Sequence, residues 1–148
     1  MFTAPALRHV NGHVLFDLKT HFNGITFDSI WLKIKDGKVI DEKADTPRKT
    51  RILREIIDSH PRNRYFGEFA IGTNPNIQRP MKLTIFDEKI LGTFHMALGT
   101  CYARTPNGNT SATIHWDLIK DMRHKGSEMW FDDRLIMQDG KLLLENKK

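Results

Sequence analysis

From Ser111 to Ile119 the chain alternates in character: Ile114, Trp116 and Leu118 fall on one parity, Thr113, His115 and Asp117 on the other. Successive side chains of a strand point to opposite faces, so this segment predicts a strand with one apolar face and one face bearing an imidazole beside a carboxylate. Whatever fold contains this strand must cover the apolar face with a core and leave the other face lined by polar neighbours.

Several other segments read the same way. Val14 to Phe16 and Ile25 to Ile34 are short runs of β-branched and aromatic residues, punctuated by Asn11-Gly12 and Asn23-Gly24. Asp36-Gly37 separates Ile30–Ile34 from Val39-Ile40, and Asp139-Gly140 separates Arg134–Met137 from Leu142–Leu144. Asp-Gly adopts the positive φ angles of a two-residue hairpin turn, so each predicts a hairpin. Between them, Thr46 suits a helix N-cap and Pro47 its first position, and Ile52, Leu53, Ile56 and Ile57 form an apolar stripe that ends before Pro61. Strands outnumber helices, and no low-complexity linker divides the chain. The expectation is an α+β class with a β-rich core and one clear amphipathic helix, residues 1–148 forming a single domain.

Bulk properties bound the function. With 148 residues, 39% of them hydrophobic, the chain can build one sizeable core. Its apolar runs fall far short of the roughly 20 residues that cross a bilayer, and the N-terminus lacks the pattern of a secretory signal, so no membrane role is expected. A lone cysteine, Cys101, excludes an intramolecular disulfide and points to a reducing, cytoplasmic setting. The formal charge of +5 is dispersed, with a modest cluster at Arg48, Lys49, Arg51 and Arg54. Such a cluster is usually the solvated face of a helix, and no aromatic interleaving supports nucleic-acid binding.

The chemistry gathers in a few places. His115 and Asp117, projecting side by side, suit a divalent ion, although an isolated His-x-Asp is also what a hydrogen-bonded pair on a sheet surface looks like. Glu68 interrupts the apolar run Gly67–Ile71; facing the core its charge is costly and coordination to a cation is one of the few ways to offset that, whereas on an edge strand it sits in water. The segment from Asp87 to Gly99 puts two carboxylates ahead of a histidine in apolar company, which selects Glu88 and His95. A solvated turn and a core histidine bonded to a carbonyl are the alternatives there. Tyr102 could donate a hydrogen bond to a forming oxyanion, or simply pack. No cysteine-protease signature surrounds Cys101, and neither a Walker loop nor a dinucleotide fingerprint occurs.

Taken in order, Phe2-Thr3-Ala4-Pro5, Val10-Asn11-Gly12, Gly67-Glu68-Phe69-Ala70, Phe86-Asp87-Glu88-Lys89, Gly92-Thr93-Phe94-His95 and Ile114-His115-Trp116-Asp117 resemble the thermophilic-type metallo-aminopeptidases, the aminopeptidase T or aminopeptidase II family, M29. The resemblance runs from Met1 to about Leu144. It implies that this chain corresponds to the C-terminal catalytic domain, a pseudo-barrel of mixed and antiparallel strands, without the family's N-terminal α/β domain. It implies that Glu68, Glu88, His95, His115 and Asp117 hold a pair of divalent ions (zinc, cobalt, manganese or magnesium) and that Tyr102 is an active-site tyrosine.

A further metal-binding glutamate of the family lies just before the segment matching Met1–Pro5, and is therefore not expected here. The implied function is aminopeptidase hydrolysis of a peptide substrate by a metal-activated water, with Glu88 binding metal or moving a proton, and homodimers are permitted. The alternative is an inactive domain remnant with a structural or binding role.

Overall fold

The computed structural model describes residues 1–143. In chain order the elements are β1 (Phe2–Thr3), β2 (Gly12–Phe16), β3 (Thr20–Phe22), β4 (Ile25–Phe27), β5 (Ile30–Lys35), β6 (Lys38–Ala44) and α1 (Pro47–Asp58). A 3-10 turn (Pro61–Arg64) leads into β7 (Phe66–Ile71), α2 (Thr84–Asp87), β8 (Thr93–Gly99), β9 (His115–Asp121), β10 (Glu128–Phe131), β11 (Arg134–Gln138) and β12 (Lys141–Leu142). They form a four-stranded sheet in the order β1-β7-β8-β9, two three-stranded sheets, β2-β5-β6 and β10-β11-β12, and the β3-β4 ribbon. The class is α+β and β-rich.

The turn chemistry explains much of this. Asp36 and Gly37 have φ of 48° and 81°, and Asp139 and Gly140 have 47° and 76°, both residues of each pair being left-handed as a tight hairpin demands. A side chain at Gly37 would also overlap the Leu7 carbonyl, because the segment before β2 lies across this turn: Gly37 N–H donates to Val10 O, and Asp36 N–H to Asn11 Oδ1. The second hairpin joins β11 to β12; Leu144, the last residue of its expected outer arm, lies outside the described residues.

Helix α1 starts as its sequence requires, with Thr46 Oγ1 accepting from Lys49 N–H and Pro47 following the cap. It lays Leu53 and Ile57, both fully buried, against the core formed by Phe16, Phe27, Leu32 and Leu98. Burying one such side chain contributes about 1.5–3 kcal/mol. The basic cluster on this helix is partly spent on ion pairs: Lys49 with Asp45 at 2.6 Å, and Arg54 with the buried Glu42 at 2.5 Å. That favours the solvated helix face over a nucleic-acid surface. Among the described residues no helix is long and apolar enough to cross a membrane.

Two features depart from the sequence reading. Among the described residues the paired strands are all antiparallel rather than mixed, the one parallel contact being an isolated bridge between Asn74 and Ile90. Short loops and two-residue turns favour antiparallel neighbours, since parallel ones need long crossovers. Nor do the described residues close a barrel. The four-stranded sheet ends on the two-residue β1 at one side and on β9 at the other. The outer edge of β9 meets single hydrogen bonds, Leu18 N–H to Ile119 O and Thr20 Oγ1 to Asp117 O, instead of a further ladder.

Candidate metal centre

The four-stranded sheet has two unlike faces, and the register assigns residues to each. On one face Phe66, Met96, Leu98, Trp116 and Leu118 join the main core. On the other, Glu68 of β7, Ala97 of β8 and Asp117 of β9 form one cross-strand row. His95 lies two residues from Ala97 along β8, and His115 two residues from Asp117 along β9, so the imidazoles flank the row on either side. Ala97 sits at the centre, fully buried, and its single methyl leaves the space that the four polar side chains converge on.

A bulge makes this pattern possible. The β7–β8 register slips between Phe66 and Glu68, leaving Gly67 as the extra residue. Phe66 can then enter the core while Glu68 still faces the site. Only glycine fits at position 67, since a Cβ would overlap the Thr100 carbonyl. That carbonyl in turn accepts from His115 Nδ1–H at 2.8 Å, which fixes the ring and turns Nε2 toward Glu68 and Asp117. Histidines that bind metals are commonly held through the other ring nitrogen in this way.

Within the centre the Glu68 carboxylate spans the two histidines, with Oε2 3.2 Å from His115 Nε2 and Oε1 3.6 Å from His95 Nε2. His115 Nε2 is also 3.6 Å from Asp117 Oδ1. Donor atoms of Glu68, His95 and Asp117 lie within 4.8 Å of one another, close enough to share one ion. His95 Nδ1 and Asp117 Oδ1 are buried without a hydrogen-bond partner among the described residues. Native interiors rarely leave such atoms orphaned, and a cation is a direct way to satisfy them. Two imidazoles and two carboxylates suit zinc and other first-row divalent ions, so the residues present fit the metal that the sequence resemblance implies.

The electrostatics follow from the crowding. Burial works to raise the Glu68 carboxyl, but hydrogen bonds from His115 and His95 outweigh it and bring the pKa down to about 2. The same contact, led by the Glu68 hydrogen bond and opposed by burial, pushes His115 up to about 9. Asp117 is raised, first by burial and further by the neighbouring carboxylates, against the attraction of the histidines. In the metal-free protein a protonated His115 thus provides the positive charge that the carboxylates require.

The remaining candidates border the centre. Glu88 follows α2 and faces a cleft of about 230 Å³ that Glu68 and His95 also line. Its Oε1 accepts from Lys89 Nζ at 2.8 Å, and it stands outside the group that converges on Ala97. Tyr102 packs its ring 4.7 Å from that of His115, and Phe2 meets it edge-on. Burial and the nearby charges of Glu68, Asp117 and Glu88 raise the Tyr102 phenol, keeping it a proton donor at neutral pH. Asp87 is buried, its Oδ1 accepting from Met81 N–H at 2.6 Å, so the Asp87–Lys89 segment is not a fully solvated turn. Residues that the sequence reading passed over are Gly67, Ala97 and Thr100. A signal existed for Ala97: alternation along β8 puts His95, Ala97 and Gly99 on one face, with the smallest side chains nearest His115.

Known proteins of similar sequence are aminopeptidases. Aminopeptidase PepS of Streptococcus thermophilus is 29% identical over 117 residues, covering 76% of this chain and 27% of that protein. Aminopeptidase 2 of Geobacillus stearothermophilus is 33% identical over 109 residues, covering 69% and 25%. The chain therefore spans about a quarter of the length of these relatives.

Among solved structures, wild-type AmpT from Thermus thermophilus superposes with a TM-score of 0.76 at 20% identity, over 97% of this chain and 39% of that one. A 2,5-dihydroxypyridine dioxygenase from Pseudomonas putida KT2440 gives 0.73 at 16% identity, over 98% and 43%. One fold thus serves differently named enzymes, and any activity must be argued from the site. The family model for thermophilic metalloproteases, M29, matches residues 1–142, and with this coverage the chain belongs to that family.

Proposed function

We propose that this chain supplies the catalytic metal centre of an aminopeptidase that removes the N-terminal residue of a peptide substrate. The observation that carries the reading is the convergence of Glu68, His95 and Asp117 donor atoms within 4.8 Å over the small side chain of Ala97, on the polar face of a rigid sheet. Membership of a metalloprotease family supports it.

In this reading Glu68, His95, His115 and Asp117 are the metal ligands, and Glu88 extends the donor set toward a second ion. The bound ions supply Lewis acidity toward the scissile carbonyl and lower the pKa of the attacking water. The chain's own residues do the rest. The Thr100 carbonyl orients His115, so that its Nε2 is presented without rotation. The Tyr102 phenol, held protonated, donates to the oxygen that gains charge as the carbonyl carbon becomes tetrahedral. Where it does not bind a second ion, Glu88, on the wall of the cleft, takes a proton from water and returns it to the leaving amine in this reading. A cytoplasmic setting and homodimer formation belong to the same proposal.

The test combines calorimetric titration of the metal-free chain with zinc, cobalt or manganese and an assay of leucine release from a leucyl amide. Saturable uptake with leucine release supports the reading. Uptake without hydrolysis leaves a metal-binding domain with no peptidase activity of its own, and absence of uptake removes the site assignment altogether.

A further inference from the structure

We propose that the cleft beside the metal centre selects short peptides by their free C-terminal carboxylate, which Arg104 receives. This rests on the aminopeptidase reading and adds the substrate class. A cleft of about 430 Å³ opens over Phe2, Glu68, Glu88, Lys89, Tyr102 and Arg104. That volume is at the lower end of small-molecule sites, and it suits a few residues of peptide rather than a folded protein surface.

Its lining carries charges of both signs. Glu68 and Glu88 belong to the metal centre in the aminopeptidase reading, which puts the N-terminal residue of the peptide there. Lys89 and Arg104 provide the cations. Lys89 is already engaged, donating to Glu88 at 2.8 Å. Arg104 is exposed and makes no hydrogen bond or ion pair among the described residues, so its guanidinium is free for a ligand. It is two residues from Tyr102, whose ring packs on His115, so the loop that carries it is tied to the centre.

A short peptide whose N-terminal residue lies at the centre can offer its C-terminal carboxylate to this guanidinium, which donates to a carboxylate in bidentate fashion. A long peptide or a protein N-terminus brings no carboxylate within reach and gains nothing from Arg104. Because the far charge acts on an exposed group, the preference should weaken as salt screens it.

The experiment measures calorimetric binding of Leu-Gly-Gly with its first peptide bond reduced to CH2–NH, which the centre cannot hydrolyse, and of the corresponding C-terminal amide, to the full zinc-loaded chain, wild type and Arg104→Gln, at low and moderate salt. The expected result is about tenfold tighter binding of the free acid by the wild type, with the difference between acid and amide lost in Arg104→Gln and reduced by salt. Equal binding of acid and amide by the wild type, or a preference that survives Arg104→Gln, overturns the proposal while leaving the aminopeptidase reading intact. Binding of neither peptide overturns this proposal, while metal uptake and leucine release remain the separate test of the aminopeptidase reading. Unchanged zinc affinity and thermal melting of Arg104→Gln show that a lost preference is not a lost fold.

Discussion

Asp117→Asn should move stability and metal binding in opposite directions. In the metal-free protein Asp117 Oδ1 is buried without a hydrogen-bond partner among the described residues, and burial with the neighbouring carboxylates raises its carboxyl pKa. A carboxyl whose folded pKa is raised costs stability wherever it is ionised, which includes neutral pH. An amide of the same volume removes that charge and offers a donor to the carboxylates around it. Leaving a buried polar group unsatisfied costs about 1–3 kcal/mol. The attraction between Asp117 and His115 offsets part of this, so a gain of about 1 kcal/mol at the lower bound is expected. For a chain of this size that corresponds to a rise of about 3 °C in Tm. Zinc at a hundred times its Kd should stabilise the wild type by about 2.7 kcal/mol, and the variant by far less, because a ligand is gone. Thermal melts with and without zinc read both effects. A variant that melts below the wild type without metal, or gains as much from zinc, would refute the reasoning.

Three further outcomes are expected. In the metal-free protein the Glu68–His115 contact should be fully stabilising only between about pH 4.5 and 6.5: it is lost as pH rises through about 9, where His115 deprotonates, and as pH falls through about 2, where Glu68 protonates. The two shifts report one contact and count once; urea melts across pH should show the plateau, and Glu68→Gln should flatten it. Ala97→Leu should fill the space between the ligands, costing about 1–3 kcal/mol by overpacking and abolishing zinc uptake in calorimetry while every ligand remains. Thr20→Val should cost about 1–3 kcal/mol in denaturant melts, because Trp116 Nε1–H loses its 2.8 Å acceptor inside the core while zinc uptake persists.

Local chemistry was legible in the sequence and non-local geometry was not. Asp36-Gly37 and Asp139-Gly140 announce hairpins because few other dipeptides accept two left-handed residues in succession. Thr46-Pro47 announces α1 because the cap and first turn have specific needs. The alternation from Ser111 to Ile119 separates the core face from the polar face, since the side-chain period of a strand is fixed. By contrast, Ala97 looks like any small strand residue until the register sets it between Glu68 and Asp117. Gly67 looks like a turn residue until the Thr100 carbonyl is found against it.

Asn109 shows the same limit. It is fully buried, with its side chain donating to Arg62 O and Gly99 O, contacts made across chain separations that composition cannot reveal. The expected barrel also depended on such distant pairing. With the β9 edge engaged by single hydrogen bonds from the Leu18–Thr20 segment, the described strands close no ring.

The most direct test is the anomalous scattering of crystals of this chain grown with zinc. A peak at the zinc edge among Glu68, His95, His115 and Asp117, above Ala97, is the predicted result. Zinc bound only elsewhere on the chain, with these four side chains free of it, would contradict the account.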